Sequence, residues 1–131
     1  MKILGIDDNQ GLIETLADLF NMMEHEFSAT TSGREAIDLI KKNQYDVILL
    51  DYLMPEFSGL DVIKELETMG NITNFNIFLF SATIIPESEL DELFQKGVRG
   101  IFKKPVEVDD LINKLSKFCA DEQIVLQKNK I

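Results

Sequence analysis

The chain has 131 residues, 45% of them apolar and 27% charged, which suits one soluble domain with a core of its own and excludes a disordered chain. Its 23 acidic side chains outnumber 13 basic ones for a formal charge of -10, the wrong sign for a surface that grips phosphate backbones, so no direct nucleic-acid binding is expected. The single cysteine, Cys119, excludes an internal disulfide framework and a cysteine-rich zinc site.

Short apolar runs alternate with amphipathic stretches along the whole chain. Lys2 to Ile6 reads as a strand, and Gln10 to Met23 as a helix with Leu12, Ile13, Leu16, Leu19, Phe20 and Met23 at helical spacing. Glu26 to Thr30 reads as a weaker strand. Ser32 and Glu35 have the spacing of a capping box, opening a helix that carries Ala36, Ile37, Leu39 and Ile40 and ends near Asn43. Asp46 to Leu50 is apolar on both faces, as a central parallel strand must be.

Pro55 and Gly59 punctuate the loop that follows, and Ser58 to Asp61 opens a helix with Val62, Ile63 and Leu66 that stops at Gly70. Asn76 to Phe80 is another buried strand. Pro86 marks the start of a helix whose apolar face is Leu90, Leu93 and Phe94, ending before Gly97. Arg99 to Phe102 is the last strand, and Val108, Leu111, Ile112, Leu115, Phe118 and Cys119 mark the last amphipathic helix. Strict alternation of strands and helices predicts an α/β fold: a parallel sheet with helices on both faces and a ligand site outside the carboxyl ends of the strands.

Those carboxyl ends hold Asp7 and Asp8, Asp51, Ser81, and Lys104 followed by Pro105. An aspartate after a strand often only starts a turn or caps a helix. Four strand ends bearing such groups together are a different matter. Three carboxylates in one cleft repel each other and call for cations; one divalent ion and Lys104 would neutralise them. All-oxygen ligation with room for water suits magnesium.

No apolar stretch approaches the length of a membrane span; Val47 to Leu50 and Ile77 to Phe80 are strand-sized. No signal peptide is readable before Asp7 and Asp8. No membrane association is expected, and the cytoplasm is the expected compartment.

The pair Asp7-Asp8, the run Asp51-Tyr52-Leu53-Met54-Pro55 with Ser58-Gly59 beyond it, Ser81-Ala82 and Lys104-Pro105 occur in an order and spacing that resemble the receiver domain of bacterial and archaeal two-component response regulators. The resemblance runs from about Lys2 to Phe118 and points to a stand-alone, chemotaxis-type receiver. It implies a flavodoxin-like three-layer (βα)5 sandwich with strand order 2-1-3-4-5, a receiver domain over residues 1–120, and 121–131 as the end of the last helix plus a short basic tail. It further implies that Asp51 is the phosphoacceptor, fed by a histidine kinase or phosphotransfer protein. Asp8, Asp51 and the backbone carbonyl of Leu53 would hold Mg2+, with Asp7 acting largely through water. Lys104 and the Ser81 hydroxyl would bind phosphoryl oxygens, and a cis Lys104–Pro105 bond would aim the lysine over the site.

The resemblance also locates the switch at Ser81 and Ile101, and the lifetime of the acyl phosphate at Leu53 and Thr83. Where receivers often carry an aromatic residue, this chain has Ile101, which can only fill or vacate space. Leu53 cannot orient water and Thr83 is a poor base, so slow self-dephosphorylation is expected. Output is expected through the fourth helix, fifth strand and fifth helix, by a monomer or weak dimer that is not an enzyme in the usual sense. Two other functions fit less well. A haloacid-dehalogenase-type phosphatase usually needs a second aspartate two residues on, where this chain has an adjacent pair. A degenerate receiver acting as a scaffold would not keep all five site residues.

The remaining candidates have plainer readings. His25, between Glu24 and Glu26, is expected at the surface without catalytic partners. Cys119 reads as a small buried hydrophobe, Phe102 as core, and Met22, Met23, Met54 and Met69 as packing. The helical pattern continues through Ile124, Val125 and Leu126 before Lys128 and Lys130.

Overall fold

The computed structural model describes residues 1–70, 72 and 75–129, with side chains through Phe118. Five strands alternate with five helices: β1 (Lys2–Ile6), α1 (Gln10–Met22), β2 (Glu26–Thr30), α2 (Gly33–Lys42), β3 (Val47–Asp51), α3 (Gly59–Thr68), β4 (Ile77–Ser81), α4 (Glu87–Lys96), β5 (Val98–Lys103) and α5 (Val108–Asn129). All strand pairs are parallel, and the sheet order is β2-β1-β3-β4-β5. This is the flavodoxin-like three-layer sandwich with the expected strand order.

The sheet works because β3 and β4 are apolar on both sides, every residue of each being buried. Val47, Leu49, Phe78 and Phe80 pack with Leu16 and Phe20 of α1 and Leu111 and Leu115 of α5. Ile48, Leu50, Ile77 and Leu79 face the other way, onto Ile37 and Ile40 of α2, Val62, Ile63 and Leu66 of α3, and Leu93 of α4. Strand alternation therefore splits the core into two layers. On β5 the pairing shifts register, Val98 opposing Ile77 but Gly100 opposing Phe78. The extra residue lets Val98 and Ile101 both join the α2–α4 layer while Phe102 lies in the α1–α5 layer, as anticipated for Phe102.

Local chemistry starts the helices. Asn9 caps α1 by accepting from Leu12 N at 3.1 Å. Ser32 caps α2 by accepting from Glu35 N at 3.3 Å, which is one half of the anticipated capping box. The full reciprocal box forms at α3, where Ser58 Oγ accepts from Asp61 N and Asp61 Oδ2 accepts from Ser58 N. Pro86 precedes α4 without a side-chain cap, and Gly97 (φ 117°) ends it.

Several expectations need correction. Strands β3 and β4 each begin and end one residue later than the hydropathy pattern suggests, so Asp51 and Ser81 belong to the ladders, and β5 gains Val98 and Lys103. Met22 is 83% exposed rather than packed, whereas Met54 is buried and Met23 and Met69 are partly so. Phe94, on the supposed apolar face of α4, is 46% exposed, and Val108 is exposed at the first residue of α5. An apolar stripe marks the inward side of a helix, but it does not say how far the sheet extends beneath it. His25 is half-buried rather than fully at the surface, and its Nδ1 lies 2.9 Å from the amino terminus, which is not a catalytic partner. The helix of α5 does continue past Leu126, to Asn129, but the Cys119 side chain, the side chains after it, and Lys130 lie outside the described residues.

Candidate functional site

Four strands bring their ends to one edge of the sheet. Asp7 follows β1 and is 1% exposed; Asp51 closes β3 and is 4% exposed; Asp8 stands open to solvent beside them. A carboxylate oxygen from each of the three lies within 4.8 Å of the others. Lys104, just past β5, reaches in with Nζ 2.8 Å from Asp7 Oδ2 and 3.4 Å from Asp51 Oδ1. Backbone bonds continue the ladders there: Tyr52 N donates to Phe80 O at 2.8 Å, and Lys104 N donates to Ser81 O at 2.8 Å. The Lys104–Pro105 bond is cis, as expected.

The electrostatics show a site short of positive charge. Burial, then the Asp7 carboxylate, raise the Asp51 pKa to about 7 against the opposing pull of Lys104. Burial alone would lower the Lys104 pKa, but its bonds and charge interactions with Asp7 and Asp51 outweigh that and raise it. Asp7 Oδ1 accepts from Asn9 N at 2.9 Å. Asp7 Oδ2 is within ion-pair distance of Lys104, yet no described donor is aligned to hydrogen-bond it. Three converging carboxylates with one lysine between two of them fit a hard divalent cation with oxygen ligands.

Ser81 is buried at the end of β4, next to this centre, but its hydroxyl is engaged elsewhere. It donates to Thr83 O at 2.7 Å and accepts from Thr83 N at 3.1 Å, with Thr83 Oγ1 at 3.2 Å. Leu53 is 54% exposed and Thr83 is also exposed. Ile101 is partly buried against the α2–α4 layer. The structure thus brings Asp7, Asp8, Asp51 and Lys104 together, leaves Ser81, Leu53 and Thr83 on the adjoining strand end and loops, and keeps Ile101 back in the hydrophobic layer, paired with Leu79.

Two features were not read from the sequence. Gly59 does more than punctuate a loop: a Cβ there would sit 2.2 Å from Asp51 O, so only glycine lets α3 start against the end of β3. Tyr52 donates its phenol proton to Glu89 Oε1 at 2.5 Å, across 37 positions of sequence. No local pattern predicts that pairing.

Fold and site together define an acidic, cation-seeking pocket at the carboxyl edge of a flavodoxin-like sheet. The model of the response regulator receiver domain matches residues 3–116, and the chain belongs to that family, the receivers of two-component signal transduction. The polar-differentiation response regulator DivK of Brucella ovis is 28% identical over 120 residues, which cover 92% of this chain and 97% of that protein. A CheY-like receiver domain protein from Methanospirillum hungatei is 27% identical with a TM-score of 0.78, over 88% of this chain and 91% of that one. The response regulator TrrA from Thermotoga maritima, solved in complex with Mg2+ and BeF, is 27% identical with a TM-score of 0.73, over 89% of this chain and 98% of that one. Receivers of this family accept phosphoryl groups, bind Mg2+ at an acidic pocket, and work with histidine kinases or phosphotransfer proteins and with output partners.

Proposed function

We propose that this receiver, spanning residues 1–120, is switched by phosphorylation of Asp51. The observation that supports this most is the placement of Asp51: buried at the end of a central strand, 3.4 Å from Lys104 and against two further carboxylates. In the transfer, an Asp51 carboxylate oxygen attacks the phosphorus of a phosphohistidine. The P–N bond breaks, the imidazole leaves with the bonding pair and takes up a proton, and an acyl phosphate remains. Lys104 is placed to bind a phosphoryl oxygen, and Ser81 to donate to another once it leaves Thr83. Mg2+ would be held by Asp8, Asp51 and the Leu53 carbonyl, with Asp7 acting through water; bound there, it would offset the charge of the transferring group. Conversion of an aspartate into a dianion beside Ser81 reaches the face of α4, β5 and α5, through which we assign output to a protein partner. A cytoplasmic monomer or weak dimer fits this role; none of the described helices is long and apolar enough to cross a membrane.

Membership of the receiver family favours this reading over a dehalogenase-type phosphatase. The complete charged centre favours it over a scaffold. Incubation with acetyl phosphate and Mg2+, followed by intact mass, should show one phosphoryl adduct that is lost in Asp51→Ala and in EDTA. An adduct that survives either change refutes the assignment.

A further inference from the structure

On β5, Ile101 offers neither a ring nor a hydroxyl to link the site with α4. Tyr52, the residue after Asp51, offers both. Its side chain is buried in the α2–α4 layer, and its backbone is fixed from two sides, N donating to Phe80 O and O accepting from Gly59 N at 3.2 Å. Its hydroxyl donates to Glu89 Oε1, in the first turn of α4. A short bond to a carboxylate is among the stronger kinds.

The far end of α4 is held by Leu93 and by the Lys96–Glu67 ion pair at 3.1 Å, and Ile85 and Leu90 pack into the α2–α4 layer. Among the described residues, however, its first turn makes one side-chain bond to the phosphoacceptor strand, that of Glu89. Pro86 supplies no side-chain cap, and of the described residues of α4 only Leu93 is buried. The segment leading into it is anchored by Ser81, through the bonds between Ser81 Oγ and Thr83. A phosphoryl oxygen that draws the Ser81 hydroxyl breaks those bonds, and displacement of the front of α4 is then opposed by the Tyr52–Glu89 contact, which must break for the helix to move.

We infer that the Tyr52–Glu89 hydrogen bond is the tether that holds α4 to the phosphoacceptor strand and sets how readily the output face switches. This rests on the reading of Asp51 as phosphoacceptor and names the contact through which that site governs α4. The tether opposes displacement of α4, so its loss biases the helix toward the switched arrangement before any phosphoryl transfer. By linkage, a partner that prefers the switched α4 binds the untethered protein more tightly.

Tyr52→Phe removes one oxygen and keeps the ring. In metal-free protein, amide hydrogen exchange from Glu89 to Leu93 should quicken about 10-fold, the effect of losing a charge-assisted hydrogen bond, while α1 and α3 keep native rates. In Mg2+ alone, the α4 amide shifts of Tyr52→Phe should lie part-way toward the positions that the native protein reaches with beryllofluoride. Glu89→Gln, which keeps an acceptor oxygen but not the charge, should fall between the native protein and Tyr52→Phe. Native exchange and native shifts in α4 of Tyr52→Phe overturn the tether. So does acceleration spread evenly over all helices, which marks a loss of global stability instead. The exchange measurement needs no phosphoryl chemistry. A native protein that ignores beryllofluoride therefore counts against the Asp51 reading, while the exchange result still decides the tether.

Discussion

Helices α3 and α4 are neighbours in sequence, of equal length, and follow the adjacent strands β3 and β4, yet they are held in opposite ways. Helix α3 buries Gly59, Val62, Ile63 and Leu66, and opens on a complete capping box. Helix α4 buries Leu93 and opens on a proline with no side-chain cap. The strand before α3 carries Asp51, which must be held in place among charges. The strand before α4 carries Ser81, whose hydroxyl has to change partners. The same βα unit is thus built rigid where chemistry needs fixed geometry and loose where a signal needs movement.

The largest effect should come from Gly59→Ala. The new Cβ would meet Asp51 O at 2.2 Å, a backbone atom that cannot rotate away, so either α3 or the end of β3 must shift. We expect a loss on the order of 3 kcal/mol in a urea titration, with weakened Mg2+ binding. A stable Gly59→Ala protein with native Mg2+ affinity would break the claim that α3 is seated on the site.

Next is the pH dependence of metal-free protein. Asp51 has a folded pKa of about 7, above its unfolded value of 3.8. Between those values the folded state binds more protons than the unfolded one, so stability falls as pH rises through that window and stays low above it. The native protein in EDTA should lose on the order of 2 kcal/mol relative to Asp51→Asn between about pH 4 and about pH 8. Mg2+ should remove most of that difference. Parallel pH curves for the two proteins in EDTA would sink the charge argument.

A smaller test contrasts the two helix starts directly. Ser58→Ala removes the oxygen that caps α3 and should cost about 1 kcal/mol. Ser88→Ala, in the exposed first turn of α4, should stay within about 0.5 kcal/mol. Equal costs in urea titrations would erase the asymmetry.

The smallest effect is kinetic. Leu53 stands half-exposed beside the site and presents no polar group to water. Leu53→Asn should speed decay of the acyl phosphate about 3-fold, since an amide can orient water without acting as a base. Decay followed by intact mass at the native rate would show that Leu53 is not the brake.

Much of this architecture was legible in the sequence. Continuous apolar runs identified β3 and β4, and the polar residues at strand ends located Asp7, Asp8, Asp51, Ser81 and Lys104 at one edge. The strand order came from family resemblance, because alternation alone does not say which strands are neighbours. Strands β3 and β4 run one residue past the apolar pattern, to Asp51 and Ser81, because a polar side chain marks the end of an apolar run whereas backbone pairing ignores side-chain polarity. The exposure of Phe94 and Met22 was hidden for another reason: helical periodicity gives a direction, and coverage depends on neighbours far away in the chain. Tyr52 and Glu89 lie beyond any local window, and their bond emerges only when α4 packs over the end of β3.

The backbone bonds at the carboxyl edge have a consequence for descent and for engineering. Tyr52 N to Phe80 O and Lys104 N to Ser81 O join the ends of β3, β4 and β5 through main-chain atoms, which every residue but proline supplies. The alignment of these strand ends therefore tolerates wide change in the following loops, provided that Gly59 stays in its place. Loop sequences can drift toward new recruiters while the strand ends stay aligned, and a graft of the segment from Ala82 to Pro86 taken from another receiver should exchange allegiance without displacing Asp51 and Lys104.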